Sequence, residues 1–130
     1  MWGKSIHSVK PRKVGTANLA NGSSLSSAIT FGHRSPSKLV LDGWEAGNVM
    51  TFDVTLDGTT YKPLTTRDGE YSIPDPTDTT HGDDEGECVV NLDPDVFFGV
   101  VGLKVRCGTA AAPVNVTDNF TIEGWGRRLH

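Results

Sequence analysis

The residues of this sequence best suited to chemistry are two cysteines, Cys88 and Cys107. Both fall in segments that are predicted to be strands, so each is either a small buried thiol or one half of a disulfide between sheets or subunits. A bridge closing a loop of this size would add about 3 kcal/mol to stability. No pair of histidines lies close to either cysteine, so the spacing does not predict a zinc site.

The remaining candidates for chemistry are histidines and carboxylates. No histidine lies beside a serine or cysteine nucleophile in the sequence, so no catalytic triad is predicted. The four are His7, His33, His81 and His130. The segment 74–87 is acidic but lacks EF-hand spacing, which favours a solvated loop over a calcium site. Its carboxylates are Asp75, Asp78, Asp83, Asp84, Glu85 and Glu87. We therefore expect a protein that is not an enzyme and that needs no cofactor.

The elements that would position these groups are short strands. The chain has 130 residues, 36% of them hydrophobic, with 15 glycines and 7 prolines. This composition is typical of one domain in which many turns join the strands. Residues 49–56 alternate between apolar and polar side chains, with Met50, Phe52, Val54 and Leu56 on the apolar face. Such alternation predicts a half-buried strand.

A hairpin should follow this strand. Asp57 and Gly58 predict a tight turn, and residues 61–65 predict the returning strand. Pro63 favours an edge position for that strand because proline cannot donate a ladder hydrogen bond. Further strands are predicted at 24–29, 38–41, 70–73, 88–92, 103–107 and 120–125. Residues 93–98 predict either a turn or a single helical turn.

These patterns together predict an all-β fold, an antiparallel β-sandwich that is jelly-roll-like or immunoglobulin-like. Residues 1–21 predict an extended basic N-terminal arm, because they contain few apolar groups and are punctuated by Pro11 and Gly15. Residues 22–126 would form the sandwich and 127–130 a C-terminal tail.

Charge is distributed unevenly along the chain. Residues 1–41 contain six bases and no acid, whereas residues 42–130 contain all 16 acids and six bases. The arm is either a solvated tail or a segment that docks on an acidic neighbouring subunit. Nucleic acid is disfavoured as a partner, because the acidic body would repel phosphate.

Large aromatic residues near both termini strengthen the docking hypothesis. Trp2 and Trp125 lie beside basic residues and could anchor in a neighbour's pocket or pack on their own domain. The predicted interface consists of Trp2, Lys4, Lys10, Arg12, Lys13, Trp125, Arg127 and Arg128. Trp44 follows a turn and is expected to pack in the core or over the edge of the sandwich.

Two segments of the chain are distinctive, the hairpin TFDVTLDGTTY at 51–61 and the stretch LKVRCGTAAAPVNV at 103–116. Together they resemble a family of small virion proteins of tailed bacteriophages. The residues that match the family pattern are Trp44, Thr51, Phe52, Val54, Asp57, Gly58, Thr59, Thr60, Tyr61, Leu103, Lys104, Arg106, Gly108, Thr109, Pro113 and Val114. The chain departs from the pattern at Cys107, where the family has a small hydroxyl residue, and at 116–117. The resemblance covers about residues 22–123.

The resemblance implies a structural virion protein, assembled in the bacterial cytoplasm, that decorates or cements the capsid exterior. Its partners would be the major capsid protein or other virion subunits, and a homo-oligomer, with a trimer as the natural guess, is expected. One alternative is a component of the neck, collar, tail or fibre base. A second alternative is a carbohydrate-binding module, since sandwich folds carry many functions. No apolar run is long enough to predict a membrane span.

Overall fold

A computed structural model describes residues 10–45, 47–76 and 88–128. Ten strands make up the described fold. They are β1 (Arg12–Leu19), β2 (Ile29–Thr30), β3 (Arg34–Asp42), β4 (Met50–Thr55), β5 (Lys62–Pro63), β6 (Thr65–Thr66), β7 (Gly69–Glu70), β8 (Cys88–Asn91), β9 (Gly102–Cys107) and β10 (Phe120–Arg128). The described residues contain no helix, and the turn at 93–99 is held by hydrogen bonds to Asp93.

The strands form two four-stranded sheets and one small hairpin. Sheet A has the order β1-β10-β3-β8, sheet B has the order β2-β9-β4-β5, and β6 pairs with β7. Every pairing is antiparallel. The all-β, antiparallel sandwich expected from the sequence is therefore confirmed.

Alternating side chains of the two sheets form the core between them. Leu103, Val105 and Cys107 of β9 are fully buried, and on β10 Phe120 and Ile122 are buried in the same way. Gly124 also faces inward, because a Cβ there would lie 2.8 Å from Ile29. The predicted hairpin of β4 and β5 forms, with Asp53 opposite Pro63, and β5 is an edge strand, as Pro63 indicated.

The predicted arm over residues 1–21 is too long, since residues 12–19 form β1. This strand pairs with β10 from Arg12 to Leu19, and its inward side chains Ala17 and Leu19 are buried in the core. The composition of 1–21 conceals the strand because only these few apolar residues mark its inner face. Of the predicted arm, residues 1–9 lie outside the described residues.

The predicted boundary at residue 127 is also wrong. β10 continues to Arg128, with Arg127 paired to Ser35 and Arg128 paired to Arg34. The predicted strand at 24–29 is likewise reduced, to a single bridge between Leu25 and Arg106 followed by β2. Residues 129–130 lie outside the described residues.

The outer face of β4 is covered rather than solvated. The alternation predicts Thr51, Asp53 and Thr55 on a polar face, yet Thr51 and Thr55 are as buried as Phe52. The Arg106 side chain of the neighbouring strand β9 and the Glu70 side chain of β7 lie over Thr51, and the Tyr61 hydroxyl lies near Thr55 at the other end of the strand. Sheet B therefore has packed side chains on both of its faces.

Candidate functional site

A charged cluster lies on the outer face of sheet B, around Arg106. The residue is only 7% exposed. Its guanidinium donates to the Asp53 carboxylate, to Glu70 at 3.4 Å and to the Thr51 hydroxyl at 3.3 Å. Because both of its terminal nitrogens donate to groups of the same chain, the guanidinium ties three strands of the fold together.

The same cluster anchors the small-residue loop after β9. Glu70 accepts a hydrogen bond from the Ala110 amide at 3.2 Å, and the Thr51 hydroxyl donates to the Gly108 carbonyl at 2.7 Å. Gly108 has a φ of 90°, and a Cβ there would lie 2.7 Å from the carbonyl oxygen of Ala112. The backbone of this loop therefore requires glycine at that position.

The hairpin motif also has a structural explanation. One carboxylate oxygen of Asp57 accepts hydrogen bonds from the amides of Thr59 and Thr60, at 2.8 and 2.9 Å. These amide bonds, with one from the Thr55 hydroxyl, hold the pKa of Asp57 well below its usual range. Gly58 has a φ of 90°, as a tight turn requires. Asp57 therefore caps its own turn.

The other motif residues are distributed between the core and this outer face. Trp44 is buried and packs edge-on against Phe120, with ring centroids 5.1 Å apart. Phe52 and Leu103 are fully buried, and Pro113 forms a bridge with Gly108 across the loop. Trp44, Phe52, Leu103 and Pro113 thus serve folding, whereas Thr59, Thr60 and Val114 are exposed.

Two of the aromatic residues that could bind a sugar are engaged in the fold. The Tyr71 ring packs against Phe52 and Phe97, with centroids 6.1 and 5.6 Å apart. The Tyr61 ring lies beneath the Lys104 ammonium, 4.6 Å from its centroid. Neither ring is free to join Trp125 in a flat sugar-binding platform.

The cysteines and histidines form no reactive group among the described residues. Cys107 is a free, fully buried thiol, and burial raises its pKa to about 11. The side chain of Cys88 lies outside the described ones. His33 is exposed, and the other three histidines belong to undescribed segments. Within residues 10–45, 47–76 and 88–128, no group of three His, Cys, Asp or Glu side chains could hold a metal ion.

A row of basic and aromatic side chains crosses the outer face of sheet A. Lys13, Trp125 and Lys38 are directly paired on β1, β10 and β3, and paired residues point to the same side of a sheet. Glu123 lies on the same face. Its carboxylate forms a salt bridge with Lys13 at 3.4 Å and accepts a hydrogen bond from the Trp125 indole at 3.3 Å. Trp125 is half-buried. We call this row, with exposed Arg127, the basic face.

An open groove of about 540 Å³ adjoins the basic face, where β3 begins and β10 ends. Phe98 lies on its wall and is 73% exposed. The charged residues that line it are Lys38, Arg127, Arg128 and Asp95, and the other lining residues are Ser35, Pro36, Ser37, Asn91, Leu92 and Pro94. The charged residues give the groove a net charge of +2, from three bases and one acid. We call it the basic groove.

The fold brings together most of the predicted interface residues that the structure describes. Arg12 and Lys13 on β1 lie beside Trp125, Arg127 and Arg128 on β10 because the two strands are paired. Lys10 is exposed just before β1, and Trp2 and Lys4 lie outside the described residues.

The sequence analysis assigned no place in this surface to Lys38 and Phe98. The only charge signal for Lys38 was its membership of the acid-free stretch 1–41. Phe98 had no signal, because its exposure depends on the turn that follows Asp93.

The described residues contain no helix that is long and apolar enough to span a membrane. Comparison with protein-family models finds no match to this chain, and comparison with curated proteins finds none either.

Proposed function

We propose that this protein is a non-enzymatic structural component of a tailed-phage virion, which decorates or cements the capsid exterior through the basic face. The observation that supports an interface role is the position of Lys13, Lys38 and Arg127 around Trp125. These residues lie on β1, β3 and β10, which are distant in sequence. The virion assignment rests on the resemblance of residues 51–61 and 103–116 to virion proteins of phages.

The physical properties of the basic face suit docking on an acidic protein surface. Opposite fields speed and orient association, and a half-buried tryptophan supplies apolar contact area at small entropic cost. Lys38 is held by a hydrogen bond to Asn91, so part of the face is ordered before binding. Repetition over a symmetric shell would convert weak single contacts into stable attachment by avidity.

The proposal is tested with particles that lack this protein. The purified chain is added back, and mass spectrometry counts its copies relative to the major capsid protein. A few hundred copies indicate shell decoration, whereas five to some tens indicate the alternative location in the neck, tail or fibre base. Absence of binding would contradict both virion locations.

A pair of matched variants tests whether the basic face makes the contact. Removing two side chains with Lys38→Ala and Trp125→Ala should weaken particle binding by about tenfold or more, the scale of an interface anchor. The control, Lys62→Ala with Arg67→Ala, removes two exposed cations elsewhere. Equal loss in the two double variants would refute the assignment of this face.

A carbohydrate-binding role has weaker support. Such a role requires several exposed aromatic rings on one surface. Of the three candidates, Tyr71 packs in the core and Tyr61 is covered by Lys104, which leaves Trp125. A glycan-array signal that the Trp125→Ala change abolishes, together with absence from particles, would favour that role instead.

A further inference from the structure

The strand β8 forms one edge of sheet A. Within the described residues it pairs with β3 on one side and with no strand on the other. The Leu92 amide donates to the Ser37 carbonyl at 2.9 Å, which makes these two residues a hydrogen-bonded pair. Such pairs alternate along an antiparallel ladder, so the backbone N–H and C=O groups of Val89 and Asn91 point away from β3. The outer edge of β8 therefore presents two donors and two acceptors.

An apolar side chain lies beside these backbone groups. Val90 is buried in the core, whereas Val89 points to the outer face of sheet A and is 59% exposed. Its partner on β3, Val40, is half-buried. An exposed valine at the open edge of a sheet favours pairing with another extended chain.

The other edge strands of the two sheets carry features that discourage such pairing. β1 has Arg12 and Lys13 and a register shift between Lys13 and Gly15. β5 consists of Lys62 and Pro63, and β2 is only two residues long. β8, with the sequence CVVN, has no charged residue, no proline and a regular register with β3. Among the described edges, β8 is thus the one best suited to accept another strand.

The basic groove begins where β8 ends. Its wall, which includes Asn91, carries three bases and, of the described residues, one acid. A segment that follows the edge of β8 past Asn91 would therefore enter positively charged surroundings. Negative charge on that segment would speed and orient its binding.

We propose that an extended segment of the virion partner adds to sheet A as a strand along β8, with an apolar side chain against Val89 and carboxylates in the basic groove. The inference rests on the proposed function and names the part of the partner that this protein recognises. An extended backbone is the ligand that satisfies donors and acceptors spaced along a strand edge. The carboxylates would meet Lys38, Arg127 and Arg128.

The chain's own segment 77–87 matches this edge less well. Its sequence, TDTTHGDDEGE, supplies carboxylates but no aliphatic residue, phenylalanine, tyrosine or tryptophan to place against Val89. Pairs of apolar side chains on adjacent strands stabilise a ladder. A partner segment with alternating apolar and acidic residues would supply both contacts.

Two substitutions of Val89 separate backbone pairing from apolar contact. Val89→Pro removes the outward N–H but no hydrogen bond to β3, and proline is tolerated in edge strands. It should weaken binding to particles that lack this protein by about tenfold or more. The control Val89→Ala keeps the N–H and loses more apolar surface than Val89→Pro, yet it should bind better than Val89→Pro. Equal binding of the two variants, or weaker binding of Val89→Ala, would overturn the proposal.

Amide hydrogen exchange tests the same contact in the wild-type chain, so it does not depend on the folding of a variant. In the free chain, the amides of Val89 and Asn91 should exchange faster than the Val90 amide, which bonds to β3. On particles, exchange at Val89 and Asn91 should slow by about tenfold or more. The exchanged chain is released from the particles and read by NMR.

The exchange data also identify the occupant of the edge. Protection of both amides in the dilute free chain would mean that the chain covers its own edge, and protection that rises with concentration would mean that a second copy does. Either result would overturn the proposal, as would particle binding without slower exchange, which leaves the proposed function standing. A wild-type chain that does not bind particles would refute the proposed function and this inference with it.

Discussion

Removal of the Arg106 guanidinium should strongly destabilise this domain, because Asp53 and Glu70 would lose a buried cation. Their side chains are only 14% and 22% exposed, so water replaces the lost partner poorly. Breaking a buried ion pair by removing one member costs about 3–5 kcal/mol. The partial exposure of both carboxylates puts the expected loss for Arg106→Met near the lower limit, at about 3 kcal/mol. Methionine fills much of the arginine volume, so the cavity contribution stays small.

Urea unfolding followed by tryptophan fluorescence measures this loss, since Trp44 is buried in the native state. For a domain of this size about 3 kcal/mol corresponds to a fall in Tm of about 9–15 °C. Arg67→Met, at an exposed turn, is the control and should change stability by less than about 0.5 kcal/mol. Adding Asp53→Asn to Arg106→Met should recover part of the loss, because one unpaired charge is removed.

A free energy of unfolding for Arg106→Met within about 0.5 kcal/mol of the wild type would refute this reasoning. It would mean that the carboxylates are solvated well enough in the folded protein to need no partner. Destabilisation that Asp53→Asn makes worse would also contradict the ion-pair explanation and point to packing instead.

Two further predictions concern the loop after β9 and the thiol beside it. Gly108→Ala should lower the free energy of unfolding by about 2–3 kcal/mol, measured by thermal unfolding, because the new Cβ would meet the Ala112 carbonyl. The control Gly99→Ala, at a position with positive φ but open space, should lower it by about 1 kcal/mol. Equal losses in the two variants would contradict the close contact. In a Cys88→Ser variant, Cys107 should react with a disulfide reagent at pH 8 only as the protein unfolds. The free energy of unfolding of this variant should fall as pH rises from about 9 towards 11, because the thiol of the unfolded chain ionises at lower pH than the buried thiol. Rapid labelling of the folded protein would contradict the buried thiol.

Local pattern in the sequence was enough to predict much of sheet B. Alternation across residues 49–56 and the Asp57-Gly58 turn specify a hairpin, because the side-chain period and the turn conformation are properties of neighbouring residues. Pro63 specified an edge position in the same way. The inward set Leu103, Val105 and Cys107 followed from period two alone.

The placement of the outer groups of sheet B depended on tertiary contacts. Thr51 and Thr55 read as a solvated face, yet both are buried. Arg106 and Glu70 lie over Thr51, whereas Thr55 lies beside Gly102, close to the Tyr61 hydroxyl. Alternation distinguishes the two faces of a strand but does not report what covers each face. The ion-pair partners of Arg106 are 53 and 36 residues away, and no local rule connects them.

The surface that we propose as functional was likewise determined partly by the sequence and partly by the tertiary structure. Sequence alone determined that bases are concentrated before residue 42 and acids after it, and that Trp125 lies beside Arg127 and Arg128. Only the tertiary structure decided that residues 12–19 are a strand rather than an arm, because pairing with β10 supplies the hydrogen bonds that their weak apolar pattern does not predict. That pairing brings Lys13 and Lys38 to opposite sides of Trp125. Strand register gathers bases that are scattered along the chain into one basic face, because it sets the neighbours of each side chain across strands that are distant in sequence.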